Sequence, residues 1–141
     1  MKKILVALMA LSLVSVAFTS CENGPKADPV TQPIAGKTYR EVLAGTDGYS
    51  QLTFHLNYKC TLEAKLPDQS PNRNPNFEWW MNSNGTEVEV RYAQGAYDTT
   101  TGVSLSGKIF LSGNYDAEAK TVHLSGVFNG QPITYHMKEL E

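Results

Sequence analysis

From residue 103 to residue 140 the chain alternates between apolar and polar side chains. Val103, Leu105, Ile109, Leu111 and Tyr115 share one parity, then Val122, Leu124 and Phe128, then Ile133, Tyr135 and Met137. Polar residues take most of the positions between them. Successive side chains of a strand point to opposite faces, so a period of two is what a half-buried strand requires and a helix cannot use. The pattern predicts three antiparallel strands in sequence order. Segment 116–120 supplies one turn and Asn129-Gly130 the other, with Gly107 expected to kink the long first strand.

The same alternation recurs upstream. Tyr39, Val42 and Leu43 mark a first strand within 36–44. Leu52, Phe54 and Leu56, then Cys60, Leu62, Ala64 and Leu66, share one parity. Strands usually run about 3 to 10 residues, so this stretch divides into a hairpin turning at Asn57-Tyr58-Lys59. Phe77, Trp79 and Met81 form one face of the next strand, and Glu78, Trp80 and Asn82 the other. Asn84-Gly85 signals a type I′ hairpin. Val88, Val90 and Tyr92 follow, alternating with Glu87, Glu89 and Arg91. Two long loops are expected, over 67–76 with Pro67, Pro71 and Pro75, and over 94–102 with Asp98 and three threonines. No helical pattern follows residue 21. About eight antiparallel strands in up-and-down order predict an all-β fold, a single closed barrel with a β-sandwich as the alternative.

Ahead of this body lies a different composition. Met1-Lys2-Lys3 precedes an apolar run over 4–18 that only Ser12 and Ser15 interrupt, and Thr19-Ser20-Cys21 closes it. This is the layout of a secretory signal peptide over 1–20, too short for a span of roughly 20 apolar residues. No second apolar run follows, so no transmembrane helix is expected in the mature chain. Removal of the first 20 of the 141 residues leaves 121, enough for one core. The net charge of −2 becomes about −4 once Lys2 and Lys3 leave. The remaining Lys and Arg are scattered, so there is no electrostatic footprint for nucleic acid. Segment 22–35, with Pro25, Pro29 and Pro33, is expected to be an extended tether.

Phe18-Thr19-Ser20-Cys21 resembles a bacterial lipobox, with Phe18 where the strict pattern prefers leucine. The resemblance implies that Cys21 becomes the lipidated N-terminus and holds the protein to the cell envelope, at the outer membrane. Several acyl chains anchor where one is marginal, at about 0.8 kcal/mol per buried methylene. Ordinary cleavage and a soluble periplasmic protein is the alternative. A lipidated Cys21 leaves Cys60 without a disulfide partner. The body over 36–141 resembles the small lipocalin-like lipoproteins of the Bacteroidetes type. That likeness lies in Leu52-Thr53-Phe54 and Cys60-Thr61-Leu62, in Gly113-Asn114-Tyr115-Asp116 and Lys120-Thr121-Val122-His123-Leu124, and in Ile133-Thr134-Tyr135. It implies a fold more than a function. The glycine-x-tryptophan start of true lipocalins is replaced by Gly36-Lys37-Thr38-Tyr39.

Side chains suited to catalysis are sparse. His55, His123 and His136 occupy the polar parity of their strands, and their spacing reads as solvated sheet faces rather than a zinc site. Cys60 shares the parity of Leu62 and Leu66 and reads as core. There is no serine elbow and no glycine-rich phosphate loop. Glu87 and Glu89 beside Arg91 read as a solvated face, and Asp116 and Glu118 as a turn. No catalysis, cofactor or metal is expected. Trp79 and Trp80 must face opposite sides. Trp80, on the parity of Glu78, is the candidate anchor for a ligand or partner, with Tyr97 a companion. Asn84-Gly85-Thr86 matches a glycosylation sequon that the hairpin already explains. Asp98-Thr99-Thr100 resembles the short O-glycosylation motif of Bacteroidetes, on Thr99. The expected function is non-catalytic binding of a small apolar or glycan ligand at the barrel mouth. The alternative is a protein–protein interaction module, an accessory subunit or inhibitor that presents loops from a filled barrel.

Overall fold

The structure, a computed structural model, describes residues 14–16 and 24–141. Cys21, the expected lipobox and all but residues 14–16 of the expected signal peptide lie outside the described residues. Ten strands follow in order: β1 (Val14–Val16), β2 (Lys37–Val42), β3 (Tyr49–Phe54), β4 (Lys59–Lys65), β5 (Asn72–Met81), β6 (Glu87–Tyr92), β7 (Ala96–Asp98), β8 (Ile109–Asp116), β9 (Thr121–Phe128) and β10 (Gln131–Glu139). Eight of them close into an antiparallel barrel, β2-β3-β4-β5-β6-β8-β9-β10 and back to β2. The up-and-down barrel is therefore the fold, and the sandwich alternative falls because the sheet has no free edge. β1 and β7 pair antiparallel outside the barrel, Ser15 opposite Tyr97. No helix occurs among the described residues.

Alternation sets the inside. Leu52 and Phe54, Cys60, Leu62 and Ala64, Phe77, Trp79 and Met81, Val88 and Val90, Val122 and Leu124, and Ile133, Tyr135 and Met137 are all buried. Their polar neighbours in each strand face out. Glu63 is an outward residue that is nonetheless buried, because the Tyr49 hydroxyl donates to its Oε1 at 2.5 Å and Arg73 Nε to its Oε2 at 2.5 Å. Arg40 then lies over the Tyr49 ring, 3.7 Å from its centroid.

Two bulges depart from the expected pattern. Segment 67–76 is not one long loop, since β5 begins at Asn72. Between Cys60/Phe77 and Leu62/Asn74 the ladder gains a residue on β5. Pro75 falls in that irregular stretch, where a missing N–H costs no ladder bond. The strand expected from Val103 likewise begins only at Ile109. Gly107 sits at φ 70° in the preceding turn and kinks no strand. Val90 pairs with Leu111 but Arg91 with Ile109, so Phe110 is the extra residue. The bulge turns Phe110 inward beside Leu111 and turns Ile109 out to solvent.

The turns obey their residues. At Asn129-Gly130 both residues have positive φ, 51° and 73°, as a two-residue type I′ hairpin between Phe128 and Gln131 demands. The turn at Asn84-Gly85 is not type I′, because only Gly85 has positive φ. It is a wider loop in which Asn82 Oδ1 accepts the backbone N–H groups of Thr86 and Glu87 at 2.8 and 2.9 Å.

The two ends of the barrel differ. One carries the tight β3–β4, β5–β6 and β8–β9 turns and is covered by the chain before β2. The tether expected through residue 35 therefore stops short. Ala27 donates its backbone N–H to Leu56 O at 2.6 Å, and the Tyr58 hydroxyl donates to Gln32 Oε1 at 2.9 Å. Ile34 is completely buried. Segment 27–36 is a cap that closes this end. The other end carries loops 43–48, 66–71 and 93–108 with the Asn129-Gly130 turn, and the loop expected over 94–102 holds β7.

Candidate functional site

The inward side chains touch one another across the barrel. Tyr39 packs edge-on against Phe54 and Tyr115, ring centroids 5.7 and 6.3 Å apart. Phe54 meets Trp79 edge-on at 5.9 Å, and Trp79 Nε1 donates to the His55 carbonyl at 2.8 Å. Towards the loop end Phe77, Tyr92 and Phe110 pack mutually at 5.1 to 5.3 Å. A void able to hold water would leave its lining accessible, yet Tyr39, Leu52, Leu62, Phe77, Leu111 and Tyr135 are inaccessible. These side chains fill the space where a lipocalin-type ligand would sit.

Buried polar side chains other than the tyrosines lie inside near the loop end. Ser50 and Asn74 are buried there, and Tyr135 lies beside Ser50 and Glu41. The Glu41 carboxylate also accepts the His136 backbone N–H at 3.0 Å. This marks where β2 and β10 part: their ladder holds only Arg40 opposite Lys138 and Tyr39 opposite Glu139.

Burial moves several acids upward. The Tyr39 and Tyr135 phenols are held well above their usual range by desolvation, with Tyr115 and Glu139 adding for Tyr39 and Glu41 for Tyr135. Burial, then Asp98, pushes Tyr92 up to about 12. A raised folded pKa gives stability that is complete below the unfolded value of about 10 and lost as pH rises through the folded value. The barrel should therefore unfold in alkali above pH 10, and tyrosinate absorbance should rise together with the loss of far-ultraviolet ellipticity. Ionisation of every tyrosine, Tyr39, Tyr92 and Tyr135 included, near pH 10 with the ellipticity intact would contradict this burial. Cys60, between Phe54 and Phe77 in the ladder, is fully buried with its thiol pKa raised by desolvation. That makes it an unreactive core residue.

The candidate surface residues stand apart from one another. Trp80 lies on the outer face and is 42% exposed. Opposite it runs a row of polar side chains, Glu89, Ser112, Ser125 and Thr134, on β6, β8, β9 and β10. Tyr97, also 42% exposed, lies in β7 at the loop end, so it is no neighbour of Trp80 in the sheet. Val42, Val103, Ile109 and Val127 are exposed on or beside the loop end as well. Thr99 is exposed on a turn in which Asp98 Oδ1 accepts the Thr100 N–H at 2.8 Å.

The three histidines are not equivalent. His55 stands alone at the capped end, its Nε2 2.8 Å from Thr61 Oγ1, and partial burial lowers its pKa. His123 and His136 face each other directly across β9 and β10, where their spacing alone reads only as solvated sheet faces. The signal for this pairing was present. His123 lies six residues before Asn129 and His136 six after Gly130, so a two-residue hairpin must set them opposite. Among the described residues no group of three or more His, Cys, Asp or Glu is placed to hold a metal ion, and no helix is long and apolar enough to cross a membrane. No family model, curated protein or solved structure matches the chain.

Proposed function

We propose that this chain is a non-catalytic binding module, lipid-anchored in the bacterial cell envelope through Cys21, that engages a protein partner with the loops at its uncapped end. The observation that carries this reading is the filled interior. A barrel packed with Tyr39, Phe54, Phe77, Trp79 and Phe110 has its binding capacity on the outside. Apolar side chains collect at that end: Tyr97, Val103 and Ile109 are exposed around the β6–β8 loop, and exposed aromatics are common anchors of protein contacts. A second reading, a glycan laid along the outer face, is favoured by Trp80 at the margin of Ser112, Ser125 and Thr134. Aromatic faces stack on apolar ligand faces while short hydroxyls give adaptable hydrogen bonds.

One crosslinking comparison separates these readings. Tyr97→Ala should cut the yield of partner crosslinked to the loop end in intact cells by at least half, with an unchanged melting temperature, whereas Trp80→Ala should leave it alone. Loss of crosslinking in Trp80→Ala alone would move the site to the sheet face. For the anchor, Cys21→Ser should shift the protein from the membrane to the soluble fraction. A protein that stays in the membrane pellet would remove the lipid attachment.

A further inference from the structure

We propose that His123 and His136 form a two-imidazole binding site for a divalent transition-metal ion on the outside of the barrel, independent of the partner reading above. Both side chains are exposed, on adjacent strands, in direct register. Their rings stand edge to face, centroids 4.7 Å apart, with the two Nδ1 atoms 2.5 Å from each other. Two imidazole nitrogens this close either share one N–H as a hydrogen bond or turn both lone pairs on a metal ion. A metal bound at about 2.0–2.1 Å from each nitrogen needs the pair to open by only a fraction of an ångström, within the reach of small side-chain rotations.

A separate contact favours the ligating form. His123 Nε2 lies 3.2 Å from Thr121 Oγ1, on the far side of the ring. Donation of the Nε2 proton to that hydroxyl leaves the Nδ1 lone pair free towards His136. Outer hydrogen bonds of this kind fix the tautomer and the ring orientation of metal-binding histidines. Asn114, opposite His123 on β8, extends the row on the other side and is also exposed. With no third His, Cys, Asp or Glu among the described residues placed to join them, the pair supplies two nitrogens and leaves the remaining positions to solvent or to a donor from elsewhere. An open site of neutral imidazoles selects borderline ions, copper(II) ahead of nickel(II) and zinc(II), over magnesium or calcium.

Copper(II) titrated into the purified full chain tests this, read by calorimetry and by the nitrogen splitting of the paramagnetic resonance spectrum. One saturable equivalent with two equatorial imidazole nitrogens is expected. Because two-point attachment makes the second contact intramolecular, His123→Ala and His136→Ala should each weaken binding by at least about tenfold. His55→Ala should change nothing, and all three variants should melt with the parent. Absence of saturable uptake, or equal uptake by His136→Ala and the parent, would overturn the site.

Discussion

Alanine at Gly126 should destabilise this barrel severely. A Cβ built on Gly126 falls far inside contact distance of the Phe110 carbonyl oxygen, and one on Gly113 does the same with the His123 carbonyl. The obstacle in each case is main chain of the adjacent strand. A flexible side chain could rotate away, but a ladder carbonyl cannot move without breaking its pairings. β8 and β9 coil so closely that each backbone passes through the space a side chain would occupy, and this is how the sheet curves enough to close. Overpacking a core costs about 1–3 kcal/mol when side chains can give. Here the strands themselves must part, so a loss of at least about 3 kcal/mol is expected for either variant. The midpoint of urea unfolding checks it, with Ser125→Ala on the outer face of β9 as the control, expected within about 0.5 kcal/mol of the parent. A Gly126→Ala protein as stable as that control would mean that the barrel is less tightly coiled.

The second large effect divides two adjacent residues. Trp79→Ala should cost about 3–5 kcal/mol, whereas Trp80→Ala should cost no more than about 0.5 kcal/mol. Trp79 is buried, packs on Phe54 and on Tyr58 at 5.0 Å, and gives its indole N–H to the carbonyl of His55. Removing it opens a cavity and leaves the His55 carbonyl, beneath the cap, with the Tyr58 backbone N–H at 3.1 Å in place of two donors. Trp80 projects outward on the row that faces Glu89. Equilibrium unfolding of the two variants, side by side, reads the difference directly. Equal losses would mean that the pleat at β5 is assigned to the wrong face.

Most of this architecture was legible because the alternation is strict where the ladder is regular. Val122, Leu124 and Phe128 with Ile133, Tyr135 and Met137 are inward as their parity demands, and Asn129-Gly130 sets their register. Parity fails where a bulge adds a residue. Nothing in Lys108-Ile109-Phe110-Leu111 shows which of three consecutive positions will be the extra one, so Ile109 was expected inside and is outside. Pro75 looked like a loop residue because a proline cannot donate to a ladder, and it is tolerated only because the ladder is already irregular there. Ile34 was hidden among prolines. Its burial depends on the open end of a barrel built from residues far along the chain, and no local pattern reports that. Of the surface candidates, parity placed Trp80 correctly, while the filling of the interior depended on how large side chains from eight strands meet, which no single strand discloses.

The seam between β2 and β10 sets the order in which this molecule can be completed. Arg40 finds Lys138, and Tyr39 finds Glu139, about a hundred positions later. Every other barrel ladder joins strands that follow one another along the chain, with only β7 skipped. Hairpins can therefore form as they are made, but the ring cannot shut until β10 exists. Contacts of such long sequence separation are the slow ones, because the ends must be brought together before anything compensates the lost chain entropy. A nascent chain thus remains an unrolled ribbon until β10 has been made. That is the shape a polypeptide must keep if it is to be threaded through a narrow channel before it folds.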